Sequence, residues 1–250
     1  MTPYRPIINE IFPSSGILFQ NKYINSERRA YFINKIYKGG IQSIEIGSFC
    51  KDQPFINGTR EIANNINSSI FKSSHIKFSL GGNVLTRENK PIINQLVYSI
   101  DVDNEINKTK RGLSTNELIN LFNENKEIAT NLGISCKLLV EGDKHTELPY
   151  IVKNTLPHFL EVEKITHYAL NVLKDTTPLS LRVKNNDFNE VDKAYYENIF
   201  RFSTSLIKTN EYMETIDLIM HLRTKLGLNL PASLTLLKEV KHEIQEEFNW

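Results

Sequence analysis

The run Val183-Lys184-Asn185-Asn186-Asp187 sets a lysine three residues before an aspartate, just past a short apolar segment that reads as a strand. A lysine held at a strand end near a carboxylate and away from water can lose its proton and form a Schiff base with a carbonyl substrate. The same ammonium can instead serve in an ion pair, and that role is the stronger expectation. Glu45, in Ile44-Glu45-Ile46, is expected at the end of another strand. It can act as a general base or as a structural acceptor for nearby hydroxyl and amide donors, the structural role being favoured. Lys184, Glu45 and Asp187 form the candidate catalytic set. Cys50 follows the Glu45 strand, but no histidine lies close in sequence to activate it. The histidines at 75, 145, 158, 167, 221 and 242 never recur at i, i+2 or i, i+4, so no metal-binding pair is written locally.

The elements that must position these groups alternate short β-branched runs with longer amphipathic stretches, as repeated βα units do. Strands are expected at 7–12, 43–47, 76–80, 95–100, 135–140, 158–162, 180–183 and 203–208. Several lack strict apolar/polar alternation, as parallel strands covered on both faces should. Helices are expected at 26–38, closed by Gly39-Gly40, and at 114–132, where Ser114-x-x-Glu117 is a capping box and Gly133 a stop. Further helices are expected at 163–173, 190–199, 212–226 and 232–247. Between Asp143 and Pro157 there is too little chain for a full crossover helix. The expected fold is therefore α/β, one (β/α)8 barrel over residues 1–250, shortened after the fifth strand and around the eighth. Asp101, Asp103, Glu141, Asp143 and His145 follow strands four and five, where they can line a polar pocket or simply face solvent.

Bulk composition suits this expectation and excludes other classes. The chain has 250 residues, 40% hydrophobic and 24% charged, enough to bury a core without staples. Thirty basic against 29 acidic residues give a net charge of +1, too little to draw nucleic acid or an anionic membrane. No apolar run reaches membrane-spanning length, and no secretory leader is expected. Cys50 and Cys136 lack Cys-x-x-Cys spacing. Reduced thiols and a cytoplasmic location are the expectation.

The segment Pro13-Ser14-Ser15-Gly16 through Ile44-Glu45-Ile46-Gly47-Ser48-Phe49 resembles, without a gap from Gly16 to Phe49, the opening of hydroxymethylglutaryl-CoA lyase and its relatives in the DRE-TIM metallolyase superfamily. In that family the first strand ends Pro-Arg-Asp-Gly and the second reads Ile-Glu-Ala-Thr-Ser-Phe. Further likeness lies in Ser79-Leu80-Gly81-Gly82-Asn83, in 105–117 and in 218–234. The resemblance covers most of 6–140 and 179–248 and is thin between. It implies carbon–carbon bond cleavage or formation on acyl thioesters, with a divalent cation and an arginine stabilising an enolate.

The residues that would carry this chemistry are replaced. Ser14 stands for the arginine and Ser15 for the metal-binding aspartate. Lys184 and Asn186 stand for the two histidines of the seventh-strand Val-His-x-His-Asp motif, where Asp187 remains. The late loop bearing a cysteine and an asparagine ligand has no counterpart between Lys208 and Tyr212. The expectation is a barrel without metal or other cofactor that has lost metal-dependent lyase activity and serves a binding or partner-supporting role. Ser14, Ser15, Asn83 and Asn186 would line the site for a small acyl or 2-oxo acid ligand, and a second copy or a partner protein is compatible with this. The alternative is a metal-independent lyase, aldolase or acyl-transfer enzyme using Lys184, Glu45 and Asp187.

Overall fold

The computed structural model describes residues 5–17, 23–49, 58–76, 92–142, 146–165, 177–185 and 187–250. Eight parallel strands follow one another around a closed barrel: β1 (Ile7–Glu10), β2 (Ser43–Ser48), β3 (Phe71–His75), β4 (Gln95–Asp101), β5 (Ser135–Glu141), β6 (Phe159–Val162), β7 (Leu179–Arg182) and β8 (Arg201–Thr204). β1 pairs with both β2 and β8, so no strand edge is left open. The (β/α)8 barrel expected from the sequence is the fold.

Around the barrel run α1 (Ser26–Lys38), α2 (Thr59–Asn65), α3 (Asn104–Arg111), α4 (Thr115–Asn131), α5 (Leu148–Thr155), α6 (Phe188–Tyr196), α7 (Thr215–Thr224) and α8 (Leu234–Phe248). α1 is capped by Asn25, whose side chain accepts the Arg28 amide, one residue before the expected start. α4 carries the expected capping box between Ser114 and Glu117. After β5 the crossover shrinks to the eight-residue α5, which Leu156 ends in the left-handed conformation at φ 41°.

Several elements differ from expectation. The third strand is Phe71–His75, not 76–80, of which 77–80 lie outside the described residues. It is set by parallel pairing of Phe71 with Ser43 and of His75 with Ser48, whereas Ile76 lies just past its end. The eighth strand begins two residues earlier, at Arg201. The helix expected from Tyr212 begins only at Thr215. The expected helix at 163–173 lies largely outside the described residues.

Side chains alternate across each strand, and this decides what fills the barrel. Ile44, Ile46, Leu138, Val140, Leu160, Val162, Leu181 and Phe202 are buried in the main apolar core. The intervening positions on β2, β5, β6, β7 and β8 carry Glu45, Lys137, Glu161, Arg182 and Ser203, all buried. Barrels of this kind ordinarily stack Val, Ile and Leu in that interior. This one stacks charges.

Candidate functional site

At the carboxyl end of β1 the chain makes a π-helical turn, Phe12–Gly16, with the Gly16 amide donating to the Ile11 carbonyl at 3.1 Å. Such turns re-aim side chains and concentrate at functional sites. Gly16 permits it, since a Cβ there would meet Ser205 Oγ at 2.8 Å. The turn swings Ser14 and Ser15 inward. Ser14 Oγ donates to Glu45 Oε1, and Ser15 Oγ donates to the same oxygen at 3.0 Å. Glu45 lies within β2 rather than at its end, because the strand runs on to Ser48, and it is fully buried. A bulge between Glu45 and Gly47 shifts the register against β3. His75 Nε2, from β3, lies 3.0 Å from Glu45 Oε1.

The other Glu45 oxygen accepts from Arg182. Its Nη2 lies 3.0 Å from Glu45 Oε2 and 2.8 Å from Glu161 Oε2, its Nε lies 3.0 Å from Glu161 Oε2, and its Nη1 donates to Ser15 Oγ at 3.2 Å. β2 and β7 are not neighbours in the barrel, so these side chains can meet only through its centre. Glu161 also accepts from Ser203 Oγ and faces Lys137 Nζ at 3.1 Å. Two carboxylates and two fixed cations, all nearly free of solvent, cancel in one buried cluster.

Electrostatics follow from this arrangement. Burial alone would raise the Glu45 carboxyl, but His75, Arg182 and Lys137 hold it well below the ordinary carboxylate range. Glu161, likewise buried, is brought down to about 2 by Arg182, Lys137 and the Ser203 hydroxyl. Arg182, which burial would weaken as a cation, is pushed well up by the two glutamates. Every oxygen of both carboxylates is engaged.

Sequence reasoning missed Arg182, Glu161, Lys137, His75 and Tyr212. The signal was a single charge inside each of two short apolar strands, Leu160-Glu161-Val162 and Leu181-Arg182-Val183. Tyr212 is placed by a feature the sequence does not announce. Past β8 the chain doubles back, the Met213 amide donating to the Val183 carbonyl at 3.0 Å and the Asn185 amide to Glu211 at 2.9 Å. This antiparallel bridge lays the Tyr212 ring 5.6 Å from the Arg182 guanidinium.

The candidate catalytic set does not assemble as a unit. Lys184 Nζ pairs with Glu163 at 2.8 Å and with Glu211 at 3.6 Å, is 37% exposed, and lies 5.3 Å from the Tyr212 ring. Its ion-pair partners are thus neither Glu45 nor Asp187. Asp187 caps α6, its carboxylate accepting the Glu190 amide at 3.2 Å. Asn83, Asn186, Cys50, Asp143 and His145 lie outside the described residues. Asp101 and Asp103 accept backbone amides at the start of α3, and Glu141 pairs with Arg111 at 2.7 Å.

No protein-family model matches the chain, and no curated protein does. Solved structures do. A hydroxymethylglutaryl-CoA lyase from Bacillus subtilis superposes with a TM-score of 0.84 at 14% identity, over 99% of this chain and 95% of that one. The chain has the hydroxymethylglutaryl-CoA lyase fold. The lyase from Acinetobacter baumannii, in complex with coenzyme A and 3-methylmalate, gives 0.85 at 17% identity, over 98% of this chain and 92% of that one. The YdjI aldolase of Escherichia coli reaches only 0.51 at 12% identity, over 97% and 88%.

The divalent cation that the sequence resemblance implies does not suit the side chains described at this end of the barrel. Among the described residues no group of three His, Cys, Asp or Glu could hold an ion. Ser15 offers a neutral oxygen already hydrogen-bonded to Arg182, and Lys184 brings a positive charge. A hard divalent ion requires several converging oxygen or imidazole donors, and a guanidinium against Ser15 repels it. Among the described residues no helix is long and apolar enough to cross a membrane.

Proposed function

We propose that this lyase-fold barrel does not perform metal-dependent carbon–carbon bond cleavage and works by binding a small acyl or 2-oxo acid ligand or a partner protein. One observation carries the proposal. The Arg182 guanidinium spans Glu45, Glu161 and Ser15, so a fixed organic cation lies against Ser15, the position where the resemblance would place the metal-binding aspartate. Both carboxylates are consumed in neutralising Arg182 and Lys137, and neither is left to take a proton near neutral pH. The coenzyme A and 3-methylmalate bound by the Acinetobacter lyase make acyl thioesters and small hydroxy or oxo acids the first ligands to try.

The metal-independent alternative rests on Lys184, which geometry argues against as a nucleophile. Its Nζ is partly exposed to solvent and ion-paired with Glu163 and Glu211, so it is neither shut away from water nor aimed alone at a carbonyl substrate.

The test is direct. Purified protein is assayed for divalent metal content and for hydroxymethylglutaryl-CoA cleavage with added Mg²⁺ or Mn²⁺, then treated with borohydride in the presence of 2-oxo acids. Substoichiometric metal, no thioester cleavage and no trapped adduct are expected. Stoichiometric metal with metal-dependent cleavage would overturn the proposal, and a borohydride adduct at Lys184 would replace it with the enzymatic alternative.

A further inference from the structure

The opposite end of the barrel carries a concavity whose lining shares no residue with the charged cluster. Its volume is about 310 Å³, within the range of small-molecule sites. The first residues of β1, β3, β6 and β8 converge there: Ile7, Phe71, Phe159 and Arg201. Ile7 and Phe71 are 40% and 38% exposed, so apolar surface faces water at this end. One side wall is Leu230-Pro231-Ala232.

That wall is built rather than incidental. Arg223 Nη2 donates to the Leu230 carbonyl at 2.8 Å and also to the Ala232 carbonyl, and the Ser233 amide donates to Gly39 at 2.8 Å. Gly40, at φ +96°, lets the α1–β2 turn approach so closely that a Cβ would stand 2.5 Å from the Pro231 carbonyl. The concavity is therefore preformed, and little ordering would be required of a ligand.

Arg201 gives it a chemical preference. Its guanidinium lies 5.0 Å over the Phe159 ring, and among the described residues it has neither a carboxylate nor a hydrogen-bond acceptor. Among the described residues no acidic side chain lines the concavity. Partial burial pulls the Arg201 pKa below its ordinary value, the mark of a cation lacking compensation. In the central cluster, by contrast, the buried cations Arg182 and Lys137 are matched by glutamates. A stem laid over an aromatic ring would explain an arginine that only covers apolar surface. It does not explain why an arginine with no carboxylate partner among the described residues lines a preformed, mostly apolar hollow.

We propose that this amino-terminal hollow binds a small amphiphilic monocarboxylate, its carboxylate held by Arg201 and its hydrocarbon body against Ile7, Phe71 and Phe159. One guanidinium neutralises one carboxylate and matches its two oxygens. At roughly 30 Å³ per water-sized volume, the hollow takes a ligand of about ten heavy atoms. The site is separate from the Arg182 cluster, so it stands whether or not the upper end is catalytic.

The experiment is calorimetric titration of the full chain with octanoate and, as a neutral counterpart of the same length, 1-octanol. One octanoate per chain is expected, about tenfold or more tighter than octanol. Arg201→Gln should weaken octanoate by a similar factor and leave octanol nearly unchanged. Ile7→Asp is the second variant, chosen because Ile7 is exposed and stands beside Arg201 in the β1–β8 register. Its carboxylate should occupy the guanidinium and abolish octanoate binding, with circular dichroism verifying that both variants fold. Absence of saturable octanoate binding, equal affinity for octanoate and octanol, or wild-type affinity in both folded variants would each overturn the proposal.

Discussion

Arg182 is a side chain whose removal the rest of the site cannot absorb. Glu45 and Glu161 are fully buried, and each directs an oxygen at its guanidinium. Removing one member of a buried ion pair typically costs about 3–5 kcal/mol, because the stranded charge must stay desolvated or take up a proton. Arg182→Met should therefore lose at least about 3 kcal/mol in urea unfolding at pH 7, with part of the loss recovered near pH 4.5 as the carboxyls protonate. A loss under about 1 kcal/mol at pH 7 would mean that Lys137 and His75 suffice to hold both carboxylates. The sequence made Ser14, Ser15 and Glu45 legible as one site because a contiguous motif carries them. Arg182 and Glu161 stayed hidden because their meeting depends on closure of the barrel between strands far apart in the chain. A charge within a four-residue apolar strand is a sign of such a contact once the fold is known.

Among the elements, those with strong end signals were the most legible. Asn25 and Gly39 bound α1, and Ser114 with Glu117 opens α4. β3 was misplaced because Lys72-Ser73-Ser74-His75 has little intrinsic strand preference, and its position comes from pairing with β2. The segment joining β8 to α7 is held by another residue that periodicity does not reveal, Glu10 at the end of β1. Glu10 Oε1 accepts the amides of Phe12 and Leu206 at 2.8 and 2.7 Å, and Oε2 accepts the Thr215 hydroxyl at 2.6 Å. Burial outweighs these three bonds and lifts its pKa to about 7. The unfolded carboxyl ionises near 4.5, so between these values the native state holds a proton that the unfolded chain has released. Stability contributed by this group therefore falls as pH rises from 4.5 to 7, by about 3 kcal/mol in all. Glu10→Gln mimics the protonated acid: its oxygen can keep both amides while its NH₂ donates to Thr215, whose hydroxyl can turn to Thr204. Chemical unfolding should find the variant equal to wild type near pH 4 and about 3 kcal/mol more stable at pH 8. Parallel pH curves for the two proteins would show that Glu10 titrates normally.

For the molecule as a whole, these carboxyls pull in opposite directions along the pH axis. Glu161, brought down to about 2, stabilises the fold fully above the unfolded value near 4.5, and this contribution is lost as pH falls from there toward 2. Glu45, also lowered, acts with the same sign. Glu10 opposes them on the other side of 4.5. A barrel filled with charge rather than Val and Leu should thus be most stable in mildly acidic solution, around pH 5, and not at neutrality. Its acid limb should be steep, because protonating Glu161 strands Arg182 and Lys137 as two cations in a space closed to water. Thermal unfolding from pH 2 to 9 should trace a dome with its top near pH 5. In Glu10→Gln only the alkaline shoulder should flatten, while the acid limb remains where it was. A midpoint that keeps rising from pH 5 to pH 8 in wild type would contradict the raised carboxyl at Glu10. An acid limb that begins only below pH 2 would contradict the account of the central cluster, since its carboxylates would then contribute nothing that protonation can remove.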